Sequence, residues 1–229
     1  MILTCPYLSQ FSSLKHAYFE ADPVIMSGSY DQAIKAMAGR PLPLVILKQV
    51  HGNHVIRLSD LKDVGKEGDG LVANAKGVAL GILTADCGPV LFYDPEAHVI
   101  GACHAGWRGA KAGILQETLD AMEEMGASRS RIYATLGPTI QQDNYEVGPE
   151  FPDLINVPYD TYFYPSEKKG HHYFNLPHYI FQQLLKEELA QVYNMERDTY
   201  SENFSSRRKQ LSQGNKGIKS NNLSAIAII

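Results

Sequence analysis

The sequence has no long apolar run. Its longest purely apolar stretches are a handful of residues, such as Ala225 to Ile229, far short of the roughly 20 that a helix needs to cross a bilayer. Basic charge is scarce as well. The formal net charge is −4, and the compact basic run Arg207-Arg208-Lys209 is a poor footprint for a phosphate backbone, so neither a membrane span nor a nucleic-acid partner is expected. Cysteine is sparse: Cys5, Cys87 and Cys103 are odd in number and too few for a disulfide framework, which fits a reducing compartment. Met1 to Phe11 carries no basic residue ahead of an apolar stretch and no small-residue cleavage site, so no secretory signal is read there. What remains is an ordinary globular composition, 44% apolar and 20% charged. The expectation is a cytoplasmic protein acting on small molecules, a monomer or homodimer. No repeat and no Pro/Gly/Ser linker divides it, so residues 1–229 read as one domain.

Patterning predicts a mixed set of elements. Residues 44–50 read as a strand, and residues 54–58 as its hairpin partner across Gly52-Asn53. Residues 78–83 are nearly all apolar, as in a strand buried on both faces. Residues 90–93 and 99–104 read as a pair joined through Asp94-Pro95-Glu96. After Gly109 the period changes: Ala112, Leu115, Leu119 and Met122 fall at helical spacing, with Gly126 as the C-terminal cap. Residues 131–136 return to strand, and residues 177–189 form a second amphipathic helix with Pro177 in its first turn. Residues 201–224 are polar and tail-like, tied down by a closing strand over 225–229. Strands and helices interleave without regular alternation, which gives a mixed-sheet α/β fold.

Chemistry concentrates at strand ends. His51, Cys87 and His104 are 36 and 17 residues apart, too far for a zinc finger, yet each sits beside glycine or alanine at the end of an apolar strand. A lone histidine there is ordinarily a surface or satisfied core residue, and a lone cysteine a small hydrophobe; the conjunction of three is the stronger signal. Zinc accepts imidazole nitrogen and thiolate sulfur and brings the pKa of a bound water to about 7. Gly106-Trp107-Arg108-Gly109 opens a helix whose start, with Arg108, suits a phosphate or carboxylate; the plainer reading has Trp107 in the core and Arg108 pairing on the surface. Lys48, Arg207 and Arg208 are further anion candidates. Asp69 and Asp86 are possible acid/base carboxylates or supports for the ligands, although Asp69-Gly70 reads first as a turn and Asp86 alternates away from Cys87. Tyr145 and Glu146 suit the wall of a pocket, and His171-His172 diverge, which argues against a second metal site there.

Lys48-Gln-Val-His-Gly52, Gly68-Asp-Gly-Leu-Val-Ala-Asn74, Thr84-Ala-Asp-Cys87, Pro89-Val-Leu-Phe92, His104-Ala-Gly-Trp-Arg-Gly109, Leu136-Gly-Pro138, Tyr145-Glu-Val-Gly148 and Phe204-Ser-Ser-Arg-Arg208 follow in one family's order. Over residues 40–229 the chain resembles the laccase-domain purine nucleoside phosphorylases, also described as multicopper polyphenol oxidases and including peptidoglycan editing factor. The resemblance implies zinc, with copper as the alternative ion, held by His51, Cys87 and His104. It implies a four-layer α/β/β/α sandwich with mixed sheets, similar to cysteine hydrolases. It also implies phosphorolysis of adenosine, inosine and methylthioadenosine with adenosine deamination at the same site, so that nucleoside and phosphate are the partners. Cys87, His104, Asp86 and Arg108 are then the catalytic candidates. Alternatives on the same site are an amidase editing peptidoglycan precursors, with Cys87 as nucleophile or a metal-activated water, and a copper polyphenol oxidase. Two positions depart from the family: Gly88 replaces a bulky residue and suggests a roomier pocket, and Asp198 replaces a cysteine, which removes a proposed extra thiolate.

Overall fold

The computed structural model describes residues 2–58, 63–214 and 220–229. Among them the strands, numbered in chain order, form two large mixed sheets and a small one. The five-stranded sheet orders β1 (Ile2–Leu3), β2 (Leu14–Phe19), β14 (Asn222–Ile228), β6 (Ala79–Thr84) and β3 (Leu44–Ile46), antiparallel except for β3–β6. The six-stranded sheet orders β13 (Gln191–Asn194), β9 (Tyr133–Leu136), β7 (Gly88–Asp94), β8 (Val99–Ala105), β5 (Gly70–Ala73) and β4 (Val55–Arg57), antiparallel inside and parallel at both edges. β10 (Glu146–Val147), β12 (His172–Phe174) and β11 (Phe163–Pro165) make the small antiparallel sheet. The helices are short: α1 (Pro6–Ser9), α2 (Pro23–Met26), α3 (Asp31–Ala38), α4 (Trp107–Ala112), α5 (Ile114–Glu123), α6 (Phe151–Ile155), α7 (Tyr159–Tyr162), α8 (Leu176–Leu185) and α9 (Arg207–Ser212). None described is long and apolar enough to cross a membrane.

Period-two alternation sends successive strand residues to opposite faces, and here both faces are covered, so the central strands read as unbroken apolar runs. Ile226 and Ile228 of β14 meet Leu91 of β7 and Ile100 and Ala102 of β8 in a core between the sheets. Leu223, Ala225 and Ala227 of the same strand face α3 through Ile34 and Met37. Val90 and Phe92 of β7 and Val99 and Cys103 of β8 pack on Leu115, Leu119 and Met122 of α5 and Ile180 and Leu184 of α8.

The β7–β8 pair forms as patterned, its turn closed by Asp94, whose Oδ1 accepts the N–H groups of Glu96 and Ala97. The segment expected as a hairpin over residues 44–58 does not pair with itself: β3 joins one sheet and β4 the other. Residues 47–54 cross between the sheets instead, and Asn53 donates to the Ala112 carbonyl rather than closing a tight turn. The helix predicted after Gly109 begins at Trp107 and is broken at Gly113, whose φ of 92° favours glycine. The strand expected from residue 131 opens instead with a 3₁₀ turn over Arg129–Arg131. α8 stops at Leu185, short of the expected 189. The closing strand starts three residues early, at Asn222, and lies inside its sheet between β2 and β6.

Candidate metal centre

β6 ends in one sheet and β7 begins in the other, so residues 85–87 form the crossing. Asp86 makes it with a left-handed φ of 91°, and its side chain ties down the surroundings. Oδ1 accepts the Thr199 hydroxyl (2.8 Å), Oδ2 accepts the Arg208 N–H (2.7 Å), and the Asp86 carbonyl accepts the Ile140 N–H (3.0 Å). A carboxylate on an N–H in the first turn of α9 is favourable for that helix end. Cys87 is thereby fixed at the mouth of the inter-sheet space. His104 arrives there from β8, where it sits opposite Pro89 on the face shared with Ala102, and Cys103 turns to the helices.

His51 completes the group from the inter-sheet crossing, with a left-handed φ of 63°. Asp69 holds this strained loop. Its carboxylate accepts three consecutive backbone N–H groups, from Val50 (3.1 Å), His51 (2.9 Å) and Gly52 (2.8 Å), and its Oδ1 lies 2.8 Å from Nδ1 of His104. Strand register makes this possible: Gly70 pairs with Cys103, which sets Asp69 against His104. Asp69 is therefore no turn-former but a fully buried support for two histidines, and local sequence preference misread it because its partners are remote.

One ligand atom each from His51, Cys87 and His104 lies within 4.8 Å of the others, and the imidazole rings stand 4.7 Å apart at 80°. Burial alone would raise the Cys87 thiol and lower the His104 imidazole. The neighbouring His104 and His51 overcome the first effect and bring Cys87 down to about 7; Asp69 and Cys87 overcome the second and carry His104 up to about 9. One thiolate and two imidazoles, with Nδ1 of His104 occupied by a carboxylate, suit a borderline-soft ion such as zinc and leave room for an exogenous ligand. Gly106 is part of the fit, since a Cβ there would stand 2.8 Å from Sγ of Cys87. A Cβ at Gly109 would meet the Gly52 carbonyl at 2.9 Å, which explains the second glycine of the same motif.

A cleft of about 460 Å³ opens beside the three residues, lined also by Leu83, Gln210, Asn221 and Arg207. Its Gln49 wall is rigid: the amide donates to the Leu83 carbonyl (2.7 Å) and accepts the Leu83 N–H (2.9 Å). Gln49, Gln210 and Asn221 were not singled out from sequence. Gln49 lies inside the Lys48–Gly52 motif and Gln210 one helical turn beyond Arg207, the signals that would have found them.

The remaining candidates are dispersed. Lys48 is exposed and paired with Glu67 at 2.7 Å. Arg108 lies 4.4 Å over the ring of Trp107, which is half-buried against Phe151. Arg208 lies 5.5 Å over the ring of Tyr145 and does not line the cleft, in contrast to Arg207. Glu146 bonds the Ser166 hydroxyl, and His172 bonds the Tyr159 hydroxyl (2.7 Å). Gly88 does not enlarge the cleft: a Cβ there would point at Ile180 (2.7 Å) and Leu136 (2.8 Å) in the helix-facing core. Asp198 gathers the N–H groups of Gln141, Tyr200 and Ser201, the Ser201 hydroxyl and the Asn144 amide, tying the segment ahead of Tyr145 to the 198–201 turn.

A model of the multi-copper polyphenol oxidoreductase laccase family matches residues 10–218. A purine nucleoside phosphorylase of Rickettsia conorii is 32% identical over 161 residues, which cover 69% of this chain and 66% of that protein. The purine nucleoside phosphorylase YfiH of Escherichia coli K12 is 33% identical over 177 residues, covering 76% of this chain and 72% of that one. Among solved structures, the hypothetical protein YfiH of Bacillus licheniformis superposes with a TM-score of 0.82 at 22% identity, over 100% of this chain and 96% of that one, a likeness of fold. On the extent of the family match, the chain belongs to the multi-copper polyphenol oxidoreductase laccase family.

Proposed function

We propose that this protein is a zinc-dependent purine nucleoside phosphorylase that also deaminates adenosine, with inosine and methylthioadenosine as further substrates. The observation that carries the reading is the convergence of His51, Cys87 and His104 at the edge of a cleft of ligand size; the names of the curated relatives support it. Zinc held by those three residues would supply Lewis acidity and a nucleophile at neutral pH. The chain supplies the rest. Leu47, Leu83 and Ala85 offer apolar surface to a flat base, Asn221 offers an amide, and Arg207, which has no carboxylate partner among the described residues, offers a cation. Cys87 and His104 act as ligands, Asp86 fixes the crossing, and Arg108 stands in the first turn of the helix that Gly106 caps. The three cores read as the interfaces of the four-layer α/β/β/α sandwich, and the free cysteines suit the cytoplasm.

The test is zinc-loaded protein incubated with adenosine, with and without phosphate. Adenine and ribose 1-phosphate should form only with phosphate, and inosine in both conditions. No turnover in either, at one zinc per chain, ends the reading.

A second reading is favoured by one feature. Cys87, His104 and Asp69 stand in the order nucleophile, base and orienting carboxylate, as in a cysteine amidase. An amidase of this kind keeps its activity after chelation, whereas the metal enzyme loses it. A copper polyphenol oxidase is less well supplied, since among the described residues the ligand group holds two histidines and one cysteine.

A further inference from the structure

Leu83, Thr84, Ala85 and Cys87 line the cleft, but Asp86, in the middle of that run, does not. Its backbone is left-handed, a conformation that Asn, Asp and Gly tolerate best. Both carboxylate oxygens are committed, one to the Thr199 hydroxyl (2.8 Å) and one to the Arg208 N–H (2.7 Å). The same place is locked through the backbone: the Asp86 carbonyl accepts the Ile140 N–H (3.0 Å), and the Thr139 carbonyl accepts the Thr199 N–H (3.3 Å). An acid or base must stand within hydrogen-bond reach of the ligand, directly or through one water. This carboxylate faces a helix instead.

That helix is α9, which brings Arg207 and Gln210 to the cleft. So short a helix does not stand by itself, and α9 buries none of its side chains. Polar contacts therefore decide where it lies. The Ser206 hydroxyl accepts the Lys209 N–H (3.1 Å), the Gln210 amide donates to the Ser220 hydroxyl (2.6 Å), and Arg208 covers the Tyr145 ring. Asp86 adds a full negative charge against the free N–H groups of the helix start. It alone does so from the residue next to a candidate metal ligand, Cys87.

We propose that Asp86 is a positioning residue: it holds α9, and with it Arg207 and Gln210, in a fixed place relative to Cys87, so that an ion on Cys87 also steadies the wall of the cleft. The link is short, from Cys87 to Asp86 along the chain and from Asp86 to α9 through one hydrogen bond. Proton transfer has no part in this role. The inference rests on the metal site and, for its kinetic readout, on the nucleoside reading.

Two substitutions separate position from charge, and both suit the left-handed backbone. Asp86→Asn removes the charge but keeps the clamp, because the amide oxygen accepts the Arg208 N–H while its nitrogen donates to the Thr199 hydroxyl. Asp86→Gly removes the clamp. Amide hydrogen exchange in α9 should be on the order of tenfold faster in Asp86→Gly, the loss of a charge-assisted hydrogen bond, and close to wild type in Asp86→Asn. Zinc should slow that exchange in the wild type and in Asp86→Asn but not in Asp86→Gly, although each protein holds about one zinc per chain. In the zinc-loaded proteins the KM for adenosine should rise on the order of tenfold in Asp86→Gly, with a smaller change in kcat, and Asp86→Asn should recover most of the loss. Thr199→Val frees one carboxylate oxygen without touching the Asp86 backbone. It should move exchange and KM in the same direction by less, so a misfolded Asp86→Gly does not shelter the proposal. Equal α9 exchange in the wild type and all these variants overturns it. So does an Asp86→Asn protein with α9 protected but turnover as poor as that of Asp86→Gly, the mark of an acid or base. If the exchange pattern holds while the wild type neither converts adenosine nor is stabilised by it, the positioning role stands and the phosphorylase reading falls.

Discussion

Cys87, in the crossing just ahead of β7, and Cys103, inside the neighbouring β8, are opposite chemical objects. Cys103 faces α5, where burial pushes its thiol up to about 12 and only the Thr118 hydroxyl works against it. Cys87, one residue ahead of β7 and half-exposed on the cleft wall, is brought down to about 7 by His104 and His51. Desolvation pushes both thiols up, so the difference lies in what stands within hydrogen-bond reach. The contrast extends to adjacent residues. His104 follows Cys103 directly, but alternation turns one to the inter-sheet space and the other to the helices, so the Cys-His pair in the sequence is not a pair in the site.

The sharpest way to break this contrast is to remove each sulfur. Cys87→Ser should take the zinc content from about one per chain to near none and abolish turnover, because a serine oxygen is a poor zinc ligand. Cys103→Ala should keep its zinc and its KM values and lose about 1 kcal/mol of stability, from a small cavity beside Thr118. Elemental analysis and thermal melts decide it; equal zinc loss in both would show that the two sulfurs are not separated as the geometry has them.

Asp69 offers the next largest effect, since it acts on the Cys87 side through His51 and His104 alone. Asp69→Asn keeps the shape but removes the charge facing three N–H groups and His104 Nδ1. Zinc affinity should fall 10–100-fold, the usual cost of losing a carboxylate behind a metal-bound histidine, as read by competition with a chromophoric chelator. An affinity equal to wild type would mean that the ring needs no orienting partner.

The parts of this molecule that were legible in sequence are those where local pattern and final environment agree. The apolar runs of β7 and β8 are buried on both faces and joined by an Asp-Pro turn, and His51, Cys87 and His104 announced themselves by small neighbours at strand ends. What was not legible depends on partners distant in the chain. The Gly52-Asn53 turn signal lost because residues 50–52 give their N–H groups to Asp69, which leaves β3 and β4 to different sheets. Asp69 itself looked like a turn residue because only the β5–β8 register brings it to His104. Gly88 suggested a roomier pocket because sequence does not show which face of β7 it occupies; the structure spends that space on Ile180 and Leu136.

The smallest effect is a slope. In the metal-free protein Cys87 titrates at about 7 and His104 at about 9, so between those values the thiol has already lost its proton and the imidazole still holds one. Zinc requires thiolate and neutral imidazole. Binding at pH 8 must therefore expel about one proton, from His104, and affinity should rise about tenfold per pH unit from 7 to 9 and then level off. Below pH 7 the thiol proton must leave as well, and the slope should steepen toward two. Calorimetry in buffers of different ionisation enthalpy counts the protons directly. In Cys103→Ala the count should stay the same, because a thiol that loses its proton only near pH 12 contributes nothing to the balance. A slope of zero between pH 7 and 9 would mean that His104 is already neutral there, and that Asp69 orients the ring without charging it.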